Sequence, residues 1–327
     1  MIARIGTVRL VILGVLLLAA AWGTHFLWGW YGLGPLAKDT AFIVPDGASV
    51  ASIADKLAAE GAVASATTFR ARARLLGDKA PIKAGEFNLP AHASGSTILQ
   101  ILQGEQGTLR RLVTVPEGMP SIMVQERLMA QPLLTGTVDV PDEGTVLPDS
   151  YEFRRGEPRK AVLARMQAAM AKTVAELWAK RSPDTVAKTP QDAVILASIV
   201  EKETGKPTER KMVAGLYSNR LRQGMLLQAD PTIIYPITRG KPLGRRIRQS
   251  EIQAVNDYNT YSMTGLPKGP ITNPGRASIE AVLHPAKTEA LYMVADGTGG
   301  HVFADTLEQH NANVAKWFAI RRARGDL

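Results

Sequence analysis

The chain has 327 residues, 45% hydrophobic and 21% charged, a balance that supports two or three small folded domains and argues against a largely disordered protein. Basic residues exceed acidic ones by 39 to 30, a net charge of +9 suited to an anionic membrane or acidic polymer; with only 6% aromatics and no basic run interleaved with them, no nucleic-acid partner is expected. The lack of cysteine excludes disulfides, thiolate zinc sites and cysteine nucleophiles, and five scattered histidines without HExxH or similar spacing predict neither a metal nor another cofactor.

Arg4 and Arg9 precede an apolar run, residues 10–31, in which only Thr24 and His25 are distinctly polar. Such a run matches the ~20 residues that cross a bilayer core, and the positive charge before it places residues 1–9 in the cytoplasm and the rest outside. A cleavable signal peptide is the competing reading, with Ala19, Ala20 and Ala21 as small residues for a peptidase. The run continues through Trp28, Trp30 and Tyr31, aromatics expected at the outer interface, which favours an uncleaved anchor. Residues 32–40 read as a short juxtamembrane linker.

Residues 41–130 show a weak internal repeat, Val44-Pro45-Asp46-Gly47 and Val115-Pro116-Glu117-Gly118. Each copy follows a strand-like run and precedes a serine and a helical pattern, over 49–60 and 121–130. Between them lie an amphipathic segment over 67–76, a strand over 85–89 and a short helix over 97–103. This region carries no obvious catalytic residue. The remainder, residues 131–327, forms a second domain, and the fold class is α+β. Residues 147–153 (LPDSYEF) read as a turn with an aromatic pair, followed by a long helix over 161–181 whose Val162, Met166, Met170, Val174 and Trp178 make a core stripe.

The stretch Thr189 to Gly205 organises the second domain. Thr189 is an N-cap, Pro190 suits the first helical position, Asp192 completes a capping box, and Gly205 and Pro207 supply the stop. On a wheel of about 100° per residue, Ile195, Leu196, Ile199 and Val200 fall within roughly 140° and Glu203 lands inside that arc. A carboxylate continuing an apolar stripe is desolvated, which raises its pKa and suits it to hold a proton near neutrality. The alternative is that Glu203 lies at a fraying helix end and meets solvent or a basic neighbour such as Lys202, Arg210 or Lys211. Glu201 points to the opposite, polar side.

A second helix is expected over 209–222, with Tyr217 inward, then an extended apolar segment over 226–235 holding Gln228 and Asp230. The loop from Tyr258-Asn259-Thr260-Tyr261 to Asn273-Pro274-Gly275 is dense in Pro, Gly, Asn and Tyr. It reads either as a carbohydrate cleft or as a structural turn cluster. A helix ending at His284, strands over 291–295 and 301–303, and a terminal helix over 306–324 complete the chain.

Together ASIVEKET at 197–204, NRL at 219–221, LQADPT at 227–232, YNTY at 258–261, GLPKGPITNPG at 265–275, HPA at 284–286 and VADGTGGHVF at 294–303 resemble the bacterial endolytic murein transglycosylases of the MltG (YceG-like) family. The resemblance covers nearly the whole chain, is dense from residue 190 onward, and includes AGEF at 84–87 and LPDSYEF. Lys268 stands where the family often has proline. The resemblance implies a LysM-like region after the span and a catalytic domain that cuts nascent peptidoglycan strands internally and without water, leaving 1,6-anhydro-N-acetylmuramic acid ends. It implies that the catalytic acid, the second glutamate of EKE, is Glu203. The partners it implies are glycan strands, the inner membrane and cell-wall synthases of the elongation or division machinery.

For such chemistry, Gln228, Asp230, Asn259 and the hydroxyls of Tyr258 and Tyr261 are candidates to support an oxocarbenium-like transition state, with Asn273 in the same polar loop. Asn219 and Arg220 are candidates to orient Glu203 or else plain helix-surface residues, and Glu201 is the rival acid. A peptidoglycan hydrolase would need a second carboxylate, with Asp230 first in line. A non-catalytic glycan-binding scaffold for synthases would need neither.

Overall fold

The computed structural model describes residues 2–104 and 109–325, with side chains from residue 12 onward. The side chains of Arg4 and Arg9, whose charge sets the expected orientation, lie outside that range. The chain divides after Arg111 into two compact units.

The first unit opens with α1 (Ile2–Tyr31), whose stretch Ile12–Tyr31 is long and apolar enough to cross a membrane. Then follow β1 (Thr40–Val44), α2 (Val50–Ala59), α3 (Ala66–Leu76), β2 (Gly85–Leu89) and α4 (Gly95–Gln103). β1 and β2 pair antiparallel, Phe42 opposite Phe87, so both rings enter a core shared with Ile53, Leu57, Phe69 and Ile98. The helices begin where serine can accept an orphan amide: Ser49 from Ser52, Ser65 from Thr68, Ser94 from Thr97.

Two expectations change here. Trp30 was expected at a membrane interface, yet it is 1% exposed and packs against Phe69, ring centroids 5.8 Å apart, while Trp28 and Tyr31 stay exposed. Residues 32–40 are no free linker. The Gly34 amide donates to the His92 carbonyl, the His92 amide to the Leu36 carbonyl and the Ala91 amide to Asp39. A large aromatic and Leu36 gain more from the core than from an interface, and they draw the connecting backbone in with them.

The second unit contains β3 (Arg111–Thr114), α5 (Ser121–Met129), β4 (Ser150–Phe153), α6 (Arg159–Ala179), α7 (Pro190–Glu203), α8 (Arg210–Arg222), α9 (Asp230–Thr238), α10 (Gln249–Ile252), α11 (Arg276–Leu283), β5 (Tyr292–Ala295), β6 (His301–Ala304) and α12 (Leu307–Arg324). β3 lies beside β4, and β5 pairs antiparallel with β6. The strand and helix of the second Val-Pro-Glu-Gly copy thus pack in this unit and not with the first copy: Val113, Val115 and Val124 share a core with Phe153, Val162 and Met166. LPDSYEF, read as a turn, supplies β4, because β3 offers it a partner. Residues 226–235, read as extended, instead break at Gln228, whose φ is +52°, and enter α9 at Asp230-Pro231. Its Asp-Pro start was hidden in the apolar run that follows.

α7 is the axle of this unit. Its capping box forms as expected, the Asp192 amide donating to Thr189 Oγ1 at 3.1 Å and the Thr189 amide to Asp192 Oδ2 at 3.0 Å. From Ala193 to Val200 every residue is buried, for α7 contacts α6, α8, α9 and α11. The expected polar side is therefore missing over these turns. Ser198, fully buried, uses its hydroxyl twice: it donates to the Ile195 carbonyl and accepts the Ile271 amide at 3.0 Å, tying the Pro/Gly-rich loop to the helix.

Candidate active site at the end of α7

Glu203 is the last residue of α7, where the helix dipole already disfavours negative charge. Its Oε2 is buried and has no hydrogen-bond partner. Burial pushes the carboxyl from the ordinary 4.5 up to about 7; the Tyr217 hydroxyl, by hydrogen bonding, pulls it down, Asp230 pushes it up, and the charges of His301 and Arg220 pull it down. Tyr217 lies on α8, fully buried, and burial together with Glu203 keeps its phenol neutral. Around neutrality this carboxyl is thus divided between a proton donor and a proton acceptor.

Asp230 sits at the start of α9, exposed, and accepts a 2.6 Å hydrogen bond from the Tyr261 hydroxyl. Burial and this bond push the Tyr261 phenol up, so it remains a donor. Gln228 is exposed beside it, its side-chain oxygen 3.4 Å from Arg220 Nη1. The structure thus gathers Glu203, Asp230, Tyr261, Gln228 and Arg220 of the expected residues.

Arg220 is no surface residue. It is 8% exposed, and its guanidinium donates to the carbonyls of Leu291, Leu226 and Leu227 at 2.6, 3.2 and 2.9 Å while covering the Tyr292 ring. It joins β5 to the turn that presents Gln228 and Asp230. Its neighbour Asn219 donates to the Thr288 and Ala290 carbonyls, bracing the approach to β5 and not Glu203.

The remaining candidates lie in the framework. Asn259 is fully buried and donates to the Ile252 and Ala254 carbonyls while accepting the Tyr261 amide, which aims the Tyr261 ring. Thr260 holds the Ala229 amide and meets Thr232, fastening the YNTY turn to the start of α9. Tyr258 packs its ring on Tyr235 at 4.8 Å. Asn273, fully buried, accepts the Val146 amide and donates to the Met119 carbonyl and Ser121 hydroxyl. Its amide group also lies 3.4 Å from Glu143, a second carboxyl that burial pushes up to about 7 despite the Ser121 amide bonded to it.

Glu201, placed on a polar side by the wheel, has a side chain only 5% exposed. Oε1 meets Arg210 at 3.3 Å and Oε2 accepts the Gly275 amide at 2.9 Å. A Cβ on Gly275 would stand 2.0 Å from Glu117 Oε1, so glycine lets the Glu117 side chain lie against this turn. Arg210, offered as a partner for Glu203, also binds Glu117 at 2.7 Å and so serves Glu201 and Glu117.

Three residues near the site were not singled out in the sequence as site residues. Tyr217 was visible only as a core position. His301 and Glu209 form a pair: the His301 amide donates to Glu209 Oε1 at 3.0 Å and its Nδ1 lies 2.9 Å from Oε2, which also accepts from Thr204, the residue after Glu203. Against the upward pull of burial, the His301 and Thr204 bonds hold Glu209 below the usual carboxylate range. The Gly-rich turn before His301 was the available signal, since Asp296 fixes it through the Thr298 and Gly300 amides.

A sequence model of the YceG-like family matches residues 42–316. A protein of Bacillus subtilis named endolytic murein transglycosylase is 27% identical over 92% of this chain and 92% of its own length. A protein of the same name from Streptococcus pneumoniae is 27% identical over 84% of this chain, which spans only 57% of that longer relative. The crystal structure of a YceG-like protein of Listeria monocytogenes superposes with a TM-score of 0.54 at 24% identity, over 84% of this chain and 98% of that one.

Proposed function

Because the chain belongs to the YceG-like family, we propose that it is a peptidoglycan lytic transglycosylase whose acid and base are the same group, Glu203. The observation that carries this reading is the buried, unpartnered Oε2 of a carboxyl raised to about 7 at the end of α7. The relatives named endolytic murein transglycosylase supply the substrate class.

In this mechanism protonated Glu203 gives its proton to the leaving oxygen of the bond between N-acetylmuramic acid and N-acetylglucosamine. As carboxylate it then takes the proton of the sugar's own C6 hydroxyl, which attacks C1 and closes the 1,6-anhydro ring. The nucleophile is already part of the substrate, an advantage of proximity that removes the need for bound water. Asp230, held by Tyr261, supplies negative charge beside the developing oxocarbenium ion and keeps Glu203 protonated beforehand. Tyr217 favours the carboxylate once the proton has left. Arg220 and Asn259 hold the two loops that carry Asp230 and Tyr261 in register.

Around this centre, residues 10–31 anchor the chain in the inner membrane with the N-terminus cytoplasmic and both units outside. α1 supports this by its length and apolar surface. The βααβ order of the first unit supports its use as the LysM-like module that holds glycan. Cutting strands within their length near the membrane would limit elongation by neighbouring synthases.

The test is mass spectrometry of products from glycan strands incubated with the detergent-solubilised chain and its Glu203→Gln variant. Anhydro ends from the first and none from the second are expected. Reducing ends would replace the lytic reading with a hydrolase using Asp230, and equal products from both proteins would remove Glu203 from its role.

A further inference from the structure

Where α1 enters the first unit there is a cavity of about 370 Å³ lined by His25, Trp30, Ser65, Thr68 and Arg72. Two of its walls carry buried donors with no hydrogen-bond partner, Trp30 Nε1 and Arg72 Nε. Trp30 is 1% exposed; the six-membered edge of its indole faces Gly95, which leaves the N–H on the opposite edge. The Arg72 guanidinium lies flat on Gly29, donates from Nη1 to the Gly29 carbonyl at 2.9 Å, and stands 5.3 Å from the Phe26 ring centroid. Its Nε is left over.

Indole N–H and guanidinium groups only donate, so an acceptor must satisfy both, and leaving each unpaired costs about 1–3 kcal/mol. The cavity lining holds the Arg72 cation and no acidic residue, so the acceptor carries negative charge. Position narrows the choice further. At 1.5 Å per residue, Ile12–Tyr31 spans about 30 Å, the thickness of a bilayer core, and the cavity opens beside its last two turns. In the anchored reading, on which this step rests, that is the level of the outer-leaflet headgroups. The exposed Trp28, Tyr31 and Leu33 lie at the same end of the helix.

We infer that this cavity is a binding site for the phosphodiester headgroup of an anionic phospholipid, gripped by Trp30 Nε1 and Arg72 with Ser65, Thr68 and His25 at the glycerol side. The lipid docks the first unit onto the bilayer in one orientation.

The full chain is reconstituted in phosphatidylcholine nanodiscs containing or lacking phosphatidylglycerol, and lipids retained after transfer to detergent are counted by native mass spectrometry. One phosphatidylglycerol per chain is expected. Trp30→Phe and Arg72→Gln each lose a donor and weaken retention about tenfold, the equivalent of ~1.4 kcal/mol. Ala64→Trp, at an exposed position on the cavity wall, plugs it without entering the core and is expected to abolish retention. Equal retention by all variants, or no retained lipid, overturns the site. Release by inorganic phosphate alone overturns the lipid and leaves a free-anion site. Alkaline extraction of cell membranes separates the two levels: a chain released as soluble removes the anchor and this site together, whereas an anchored chain indifferent to all three variants removes only the site.

Discussion

Glu201 and Glu203 leave the same helix two residues apart and meet opposite fates. Around Glu201 the chain supplies the Arg210 guanidinium and the Gly275 amide, so both oxygens are satisfied. Around Glu203 one oxygen is buried without a donor, and the neighbouring Asp230 pushes in the direction opposite to Tyr217. One carboxylate holds the fold together at no risk to chemistry. The other is kept uncomfortable when ionised, and that discomfort is what suits it to the acid role proposed for it.

The contrast breaks most visibly in activity. Glu203→Gln is expected to lower turnover about 10³-fold or more, within the range for removal of a general acid, while Glu201→Gln changes it less than tenfold; assays of anhydro ends on both variants decide it. Stability should reverse the ranking. Glu201→Gln leaves Arg210 with Glu117 as its one carboxylate and is expected to cost about 2 kcal/mol in denaturant unfolding, whereas Glu203→Gln stabilises the protein at pH 8 by about 3 kcal/mol.

A pH series sharpens the comparison. Glu203 and Glu143, both raised from 4.5 to about 7, bind protons more tightly folded than unfolded. Their contribution is present in full below pH 4.5 and is lost as pH climbs through 7, about 3 kcal/mol for each. Unfolding free energies measured at pH 5 and pH 8 should show that decline, halved in Glu143→Gln. The smallest effects come from the neighbours. In pH profiles of kcat/KM the alkaline limb should move down in Asp230→Asn, which removes the charge pushing Glu203 up, and up in Tyr217→Phe, which removes the bond pulling it down. Shifts of the same sign in both would refute the opposition described here.

Much of this was legible in the sequence because it is local. The capping box of α7, the Ser49 cap and the β5–β6 hairpin are set by neighbouring residues, and the resemblance to the family rested on contiguous motifs. Helical periodicity put Glu203 on the apolar arc with a solvated helix end as the alternative, and the resemblance named it the acid. What sequence alone withheld depends on packing from afar. A wheel drawn for one helix cannot know that α7 is enclosed on all sides, so Glu201 was assigned to solvent. Tyr217 looks like any core aromatic until α8 is laid against α7; Asn219 looks like an orienter of Glu203, and Asn259 and Asn273 like supports for substrate, until their amides are found spent on backbone carbonyls. β4 was missed for the same reason, since a strand of four residues is defined by its partner.

The burial of Trp30 has a mechanical meaning. A helix whose end is part of a domain's core, followed by residues pinned through Gly34, Leu36 and Asp39, has no swivel. In a bilayer such helices lean by about 20°, more in thin membranes with surplus apolar length and less in thick ones. If α1 spans a bilayer as proposed, every degree of lean becomes a degree of rotation of the first unit, so bilayer thickness would set the angle between that unit and the membrane.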